Sequence, residues 1–339
     1  MADFDKATRA AWDRGFKNQV ALSLPLFAML YEHRRIIFKG GLSTVITMQK
    51  GTTESLSQSY FMNEPLQGGR IDVLEQAAFY TKYMQHPVQY DGRDVVENKG
   101  GRLTAPLDTI RLVTESSQDG FRRFLQDKFW AAAVTDSAAS RDFASVPQAL
   151  THDAKYGGLT RTIGSNINDW FQGASPDGTY TDQSTAVTPS LANIALWADV
   201  CRRYLPEGLD GRGKARNALY MFVPEGIFRD IRLQCEAKTA LVKPSMMKFK
   251  YGFSAINVHD VEVIKSSWMT LNSRTATMVM LNPDTWQLRI APERRFKMTP
   301  FVWQGGMAGG IDAYLAHILL AGTLTCKMPR ANMMLLAVA

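Results

Sequence analysis

Few residues in this chain have the type and spacing that chemistry needs, and the nearest approach to a motif is GLDGRGKA, Gly208 to Ala215. Gly208, Gly213 and Lys214 stand where a phosphate-cradling loop requires them, which would suit a nucleotide-binding enzyme. The next position is Ala215, where a Ser or Thr hydroxyl should hold magnesium. The flanking patterns also run helix, loop, strand, the reverse of the required order. His33, His86, His152, His259 and His317 share no metal-ligand spacing, and none lies within four residues of another or of a cysteine. In HDVE, His259, Asp260 and Glu262 would alternate across a strand, so no acid–base pair forms there. Cys201, Cys235 and Cys326 are odd in number and far apart, which fits reduced core thiols. GxSxG and HExxH are absent. No enzyme, cofactor or metal is expected.

Charge is the second kind of signal. Arg202, Arg203, Arg212, Lys214 and Arg216 face Glu207 and Asp210, and Arg289, Arg294, Arg295 and Lys297 face Glu293, so each stretch is a local excess of three. Such stretches can touch phosphates or can simply be solvated faces. The whole-chain net of +7 is too mild for a dedicated nucleic-acid binder. At 339 residues and 45% hydrophobic, the chain can bury one large core or two smaller ones. No run of about 18 apolar residues occurs and MADFDKATRAAW lacks a signal core, so membrane spanning and secretion are disfavoured and maturation in cytoplasm is expected.

The elements that would carry these residues centre on TAPLDTIRLVTESSQDGFRRFLQDKFWAAAV, Thr104 to Val134. Thr104 caps it, Pro106 lies in the first turn, and Leu107, Ile110, Val113, Phe121, Phe124, Leu125, Phe129 and Trp130 form one stripe. About 30 helical residues span roughly 45 Å, a strut more than a bundle member. Ser116, Ser117 and Gly120 predict a kink in its middle.

Before this helix, Leu42 to Gln49 alternates as a strand, and AAFYTKYMQHPVQY carries Phe79, Tyr80, Tyr83, Tyr90 and an edge-type Pro87. Residues 39–90 thus read as a long two-stranded projection, marginal alone and so resting on a neighbouring subunit, or as a hairpin folded back on its own sheet. Residues 1–38 read as an arm, and residues 135–190 as mainly loop. A helix follows at Ser190 to Leu205, then mixed strands and helices, and IDAYLAHILLAGTLTCKMPRANMMLLAV closes the chain as helix or strand. With no βαβ repeat, the class is α+β.

This layout, with DGRDVVENKG entering the helix and GGIDAYLAHILLAGTLTCKMPRANMMLLAV ending the chain, resembles the tailed-bacteriophage major capsid proteins of the Hong Kong 97 type. The resemblance covers nearly the whole chain. It implies an N-terminal arm (1–38), an extended β-hairpin loop (39–103), a spine-helix peripheral domain (104–190, rejoined by 301–339) and an axial domain (191–300). It further implies self-assembly into the hexamers and pentamers of an icosahedral shell in the virion, assembled in host cytoplasm and enclosing double-stranded DNA through non-specific contacts. Separate scaffold, portal and decoration proteins would be partners, and a membrane would not. Phe61, Arg70, Tyr80 and Tyr83 would lie at intersubunit loop contacts. Arg212, Lys214, Arg216, Arg294 and Arg295 would face DNA or neighbouring capsomers. Lys50 and Asn332 are available for a crosslink, but lack matching local motifs. An encapsulin-like cargo shell of the same fold is the near alternative, and a nucleotide-binding enzyme using Gly208 to Ala215 the distant one.

Overall fold

The computed structural model describes residues 24–49, 74–92, 105–131, 140–151, 155–161, 171, 173–174, 186–203, 218–238, 247–250, 253–266, 269, 277–305 and 312–337. The elements, in order, are α1 (Pro25–Glu32), β1 (Ile36–Phe38), β2 (Ser43–Gln49), β3 (Leu74–Tyr80), β4 (Lys82–Asp91), α2 (Ala105–Trp130), α3 (Val146–Leu150), β5 (Ala186–Val187), α4 (Leu191–Arg202) and β6 (Leu219–Val223). After these come α5 (Glu225–Lys238), β7 (Met247–Lys250), β8 (Phe253–Val258), β9 (Val261–Lys265), β10 (Thr277–Leu281), β11 (Trp286–Ile290), β12 (Lys297–Met298), β13 (Val302–Trp303), β14 (Ala313–Cys326) and β15 (Met333–Ala337). The class is α+β.

The closing apolar segment, open between helix and strand in sequence, begins with β14, the axis of the first sheet. Its even-numbered Ala316, Ile318, Leu320 and Leu324 all point into one core. β4 runs antiparallel along Ala313 to Gly322. On the opposite edge, the carbonyls of Ala313, His317 and Ala321 accept from Gln304, Thr299 and Ala291. β13, β12 and β11 therefore line that edge in succession, because alternate backbone groups of a strand point to opposite sides. Between Ile290 and Lys297 the chain advances seven residues against three on β14, and the surplus forms the 3-10 turn Pro292–Arg294. β1 lies outermost, parallel to β11.

The second sheet has the order β5-β15-β10-β6-β9-β8-β7. LYMFV in β6 is buried throughout, as a strand covered on both faces must be. Tyr220 and Phe222 join the core shared with the first sheet, while Leu219, Met221 and Val223 join a second cluster beneath α4 and α5. α4 begins where Ser190 accepts from the Asn193 amide, the cap expected there. His259 and Asp260 both have positive φ and make the two-residue turn joining β8 to β9, so they are exposed turn residues and not strand neighbours.

Several expectations change here. The second extended segment divides at Thr81: Leu74–Tyr80 pairs with β2 as a separate two-stranded ribbon, whereas Lys82–Asp91 turns into the first sheet. Among the described residues β4 pairs only with β14, so Pro87 sits on an edge strand there. Leu24 to Leu30, read as part of an arm, is core on all sides of a short helix. Within 135–190, Phe143 to Leu150, Tyr156 and Phe171 are buried core built around α3. The expected boundary at residue 300 falls inside the first sheet, and β15, beyond it, belongs to the second.

α2 is one continuous helix of 26 residues, about 39 Å long. Gly120, in its middle, lies where β4 comes close: a Cβ there would stand 3.1 Å from the His86 ring. Phe121, Leu125 and Phe129 bury the stripe read from the sequence. At its end, Trp130 packs edge-on against Phe222 of the second sheet, with 5.7 Å between ring centroids.

Candidate interaction surfaces

Nucleophilic chemistry finds no support in the sites described. Burial pushes the Cys201 and Cys326 thiols up to about 12, so both stay protonated at neutral pH. Among the described residues, no three His, Cys, Asp or Glu side chains gather to hold a metal. Gly208 to Ala215 lies outside the described residues, as do Phe61, Arg70, Arg212, Lys214, Arg216 and Lys50.

The ribbon of β2 and β3 has two unlike faces. Thr44, Ile46, Ala77 and Phe79 are buried. Phe79 meets Tyr156 edge-on at 4.9 Å, the Ala78 amide donates to the Gly157 carbonyl at 2.9 Å, and Arg289 donates to the Thr44 hydroxyl at 2.6 Å. Gly157 has φ +59, and a Cβ on it would come within 2.7 Å of the Ala77 Cβ, so this seat accepts only glycine. On the opposite face Val45, Leu74 and Tyr80 are exposed, and Leu42, just before β2, is exposed as well. Period-two alternation in LSTVITMQ signals two faces; nothing local says which would stay uncovered.

Tyr80 and Tyr83, expected together at a loop contact, stand on different sheets. Tyr80 ends the ribbon, with the Lys82 ammonium 5.8 Å from its ring. Tyr83 lies on β4, 60% exposed, with the Arg294 guanidinium 5.3 Å from its ring centre. Arg295 turns instead to Phe38 of β1, its guanidinium 3.9 Å from the ring. Thus Tyr83 and Arg294, expected on separate surfaces, share one. Phe38 was missed; its only signal was an aromatic residue placed beside Arg34, Arg35 and Lys39.

Where the chain passes between the sheets, one side chain joins both crossings. The Asn332 Oδ1 accepts from the Asn282 amide at 2.7 Å and from the Trp286 indole at 2.8 Å. Its Nδ2 donates to the Thr285 hydroxyl and to the Met328 carbonyl, each at 2.9 Å. Its backbone carbonyl also accepts from Ala174. Asn332 is fully buried, which removes it as a surface crosslink partner. Arg161, equally hidden, donates to the carbonyls of Gln148, Ala149 and Phe171 and fixes the loop after α3.

No family pattern matches the sequence, and no curated protein is similar to it in sequence. Solved structures are similar in shape. The cyanophage A-1(L) capsid asymmetric unit has a chain that matches with TM-score 0.63 at 10% identity, over 90% of each chain. The cyanophage Pam1 capsid asymmetric unit matches with TM-score 0.51 at 9% identity, over 93% of each chain. A chain of Microbacterium phage Oxtober96 also gives 0.51, at 10% identity over 93% of this chain and 90% of that one. The chain has the Hong Kong 97-like capsid fold. Within this Hong Kong 97-like fold, α2 is the long element that touches both sheets, through His86 on one and Phe222 on the other.

The His86 contact carries a pH signature. Burial lowers the His86 pKa below its ordinary value, because the ring is packed against α2 near Gly120 and Phe121. A depressed pKa means that the unfolded chain binds the proton more readily. The contribution is therefore fully present above pH ~6.5, the ordinary histidine value, and is lost as pH falls below it through the lower folded-state value. Thermal unfolding of His86→Phe should show a shallower decline between neutral pH and pH ~5.5 than the parent chain. Equal slopes would remove His86 as a cause.

Proposed function

We propose that this protein is a major capsid subunit that assembles with copies of itself, as hexamers and pentamers, into an icosahedral shell enclosing double-stranded DNA. The observation that carries this reading is a capsid fold shared over nine-tenths of both chains with the cyanophage A-1(L) structure. The ribbon supports it: its outer face leaves Val45 and Leu74 more than half exposed, which suits a surface covered by a neighbouring copy. On this reading residues 1–38 include the arm, 39–103 the extended loop, 104–190 with 301–339 the peripheral domain and 191–300 the axial domain. These assignments are adjusted where β4 and β11 to β13 lie beside β14. The shell would belong to a virion, with scaffold, portal and decoration proteins as separate partners.

Electron microscopy of the purified full chain under assembly conditions tests the proposal. Closed, uniform shells are expected. Monomers or small oligomers alone would overturn it. Shells that protect protein cargo and no nuclease-resistant double-stranded DNA would overturn the genome-enclosing part and leave an encapsulin-like compartment.

A further inference from the structure

Two basic stretches far apart in sequence meet at one edge of the first sheet. Parallel pairing of β1 with β11 sets Ile36–Phe38 against Leu288–Ile290, and the Lys39 amide donates to the Ile290 carbonyl at 3.2 Å. Arg34, Arg35 and Lys39 thereby flank the strand that carries Arg289, and in the turn that follows it Arg295 reaches Phe38 of β1 while Arg294 reaches Tyr83 of β4, with Lys297 two residues on. The acids there are Glu32, Asp284 and Glu293, which leaves four net positive charges in a chain whose total is +7. Asp284 pairs with Arg35, and Arg289 is engaged by Thr44. Arg34, Lys39, Arg294 and Lys297 are exposed, and Arg295 is half-exposed.

The two arginines of the turn are held in place. Arg294 lies over Tyr83 and Arg295 over Phe38, at 5.3 and 3.9 Å. Phe38 and Tyr83 remain 42% and 60% exposed, so the rings orient the guanidinium groups without burying them. A guanidinium positioned in this way presents paired N–H donors to an anionic oxygen at a smaller entropic loss than a free side chain would suffer. Such a seam suits a repeating row of phosphates, for which base identity is irrelevant.

We propose that this seam, centred on Arg294 and Arg295 and flanked by Lys39 and Lys297, is a surface through which the protein contacts the phosphate backbone of duplex DNA. The assignment rests on the shell reading above, yet its test does not require a shell. The unassembled full-length chain is titrated with a short labelled duplex of mixed sequence over a series of salt concentrations. Loss of two phosphate contacts in R294A/R295A should reduce the slope of log affinity against log salt by about 2, and weaken binding roughly 50-fold near 0.1 M salt. R294K/R295K, which keeps the charges, should retain most of the slope. R229A/R232A removes two exposed charges from α5 and should bind as the parent does. An unchanged slope in R294A/R295A would overturn the proposal, as would an equal loss in R229A/R232A. Polyglutamate giving no competition is the expected control; polyglutamate bound as tightly as duplex, with the same dependence on Arg294 and Arg295, would assign the seam to an acidic protein partner instead. If binding behaves as expected and no shells form, the capsid reading fails while this surface stands.

Discussion

Replacing Asn332 with leucine should lower the stability of the folded chain by about 3–5 kcal/mol, which for a protein of this size moves the melting temperature down by about 6–10 °C. The cause is what remains behind. The Asn282 amide and the Trp286 indole N–H would stay buried after losing their shared acceptor, and the Met328 carbonyl would lose a donor, while the Thr285 hydroxyl keeps its bond to the Asn282 carbonyl. Each orphaned polar group costs about 1–3 kcal/mol, more than the net worth of the bond it made. Position matters as much as number. Asn282 to Trp286 is the crossing from β10 to β11, and Cys326 to Met333 the crossing from β14 to β15, so one amide holds the two sheets in register. Asn332→Asp keeps the acceptor but turns a donor into a second acceptor facing the Met328 carbonyl, and should be nearly as damaging near neutral pH. Thermal unfolding followed by circular dichroism checks both; a loss below about 1 kcal/mol for the leucine variant would mean that water or a rearranged neighbour takes over these bonds.

Trp130→Ala is the second large effect, with an expected loss of about 3–5 kcal/mol. Trp130 is almost wholly buried, its ring against Phe222 and its indole N–H donating to the Gln126 side-chain Oε1 at 3.1 Å. Truncation would open a cavity between α2 and the second sheet and leave Gln126 without that donor. Because Trp130 is where the far end of α2 reaches the second sheet, the denaturant transition should also broaden, reporting weaker coupling between the sheets. Trp130→Phe, which keeps most of the packing, should recover most of the loss. A sharp transition shifted by under 1 kcal/mol in the alanine variant would show that α2 does not couple the sheets through this residue.

Much of the fold was legible where local pattern and tertiary demand agreed. The stripe of α2 appears at its expected spacing because a helix lying on a core must repeat every three or four residues. The Ser190 cap is read correctly because capping is settled within one turn. Reading failed where a residue's meaning depended on a distant partner. Gly120 was read only for its backbone, yet it also marks the close approach of His86; Arg161, in a stretch read as loop, is buried against three carbonyls. The extended segment through residue 90 looked like one strand, yet changes partners at Thr81 because β2 and β14 compete for its two halves.

Composition and short-range periodicity were enough for the α+β class, the long helix and the two-faced ribbon, and the sequence carries no complete catalytic motif. Which surface the basic residues form depends on pairing between distant segments. The parallel pairing of β1 with β11 closes a loop of some 250 residues, and no local propensity encodes a contact at that separation. Arg294 and Arg295 could be seen as charged from the sequence, but their stacking on Tyr83 and Phe38 follows from sheet register, which only the assembled core fixes.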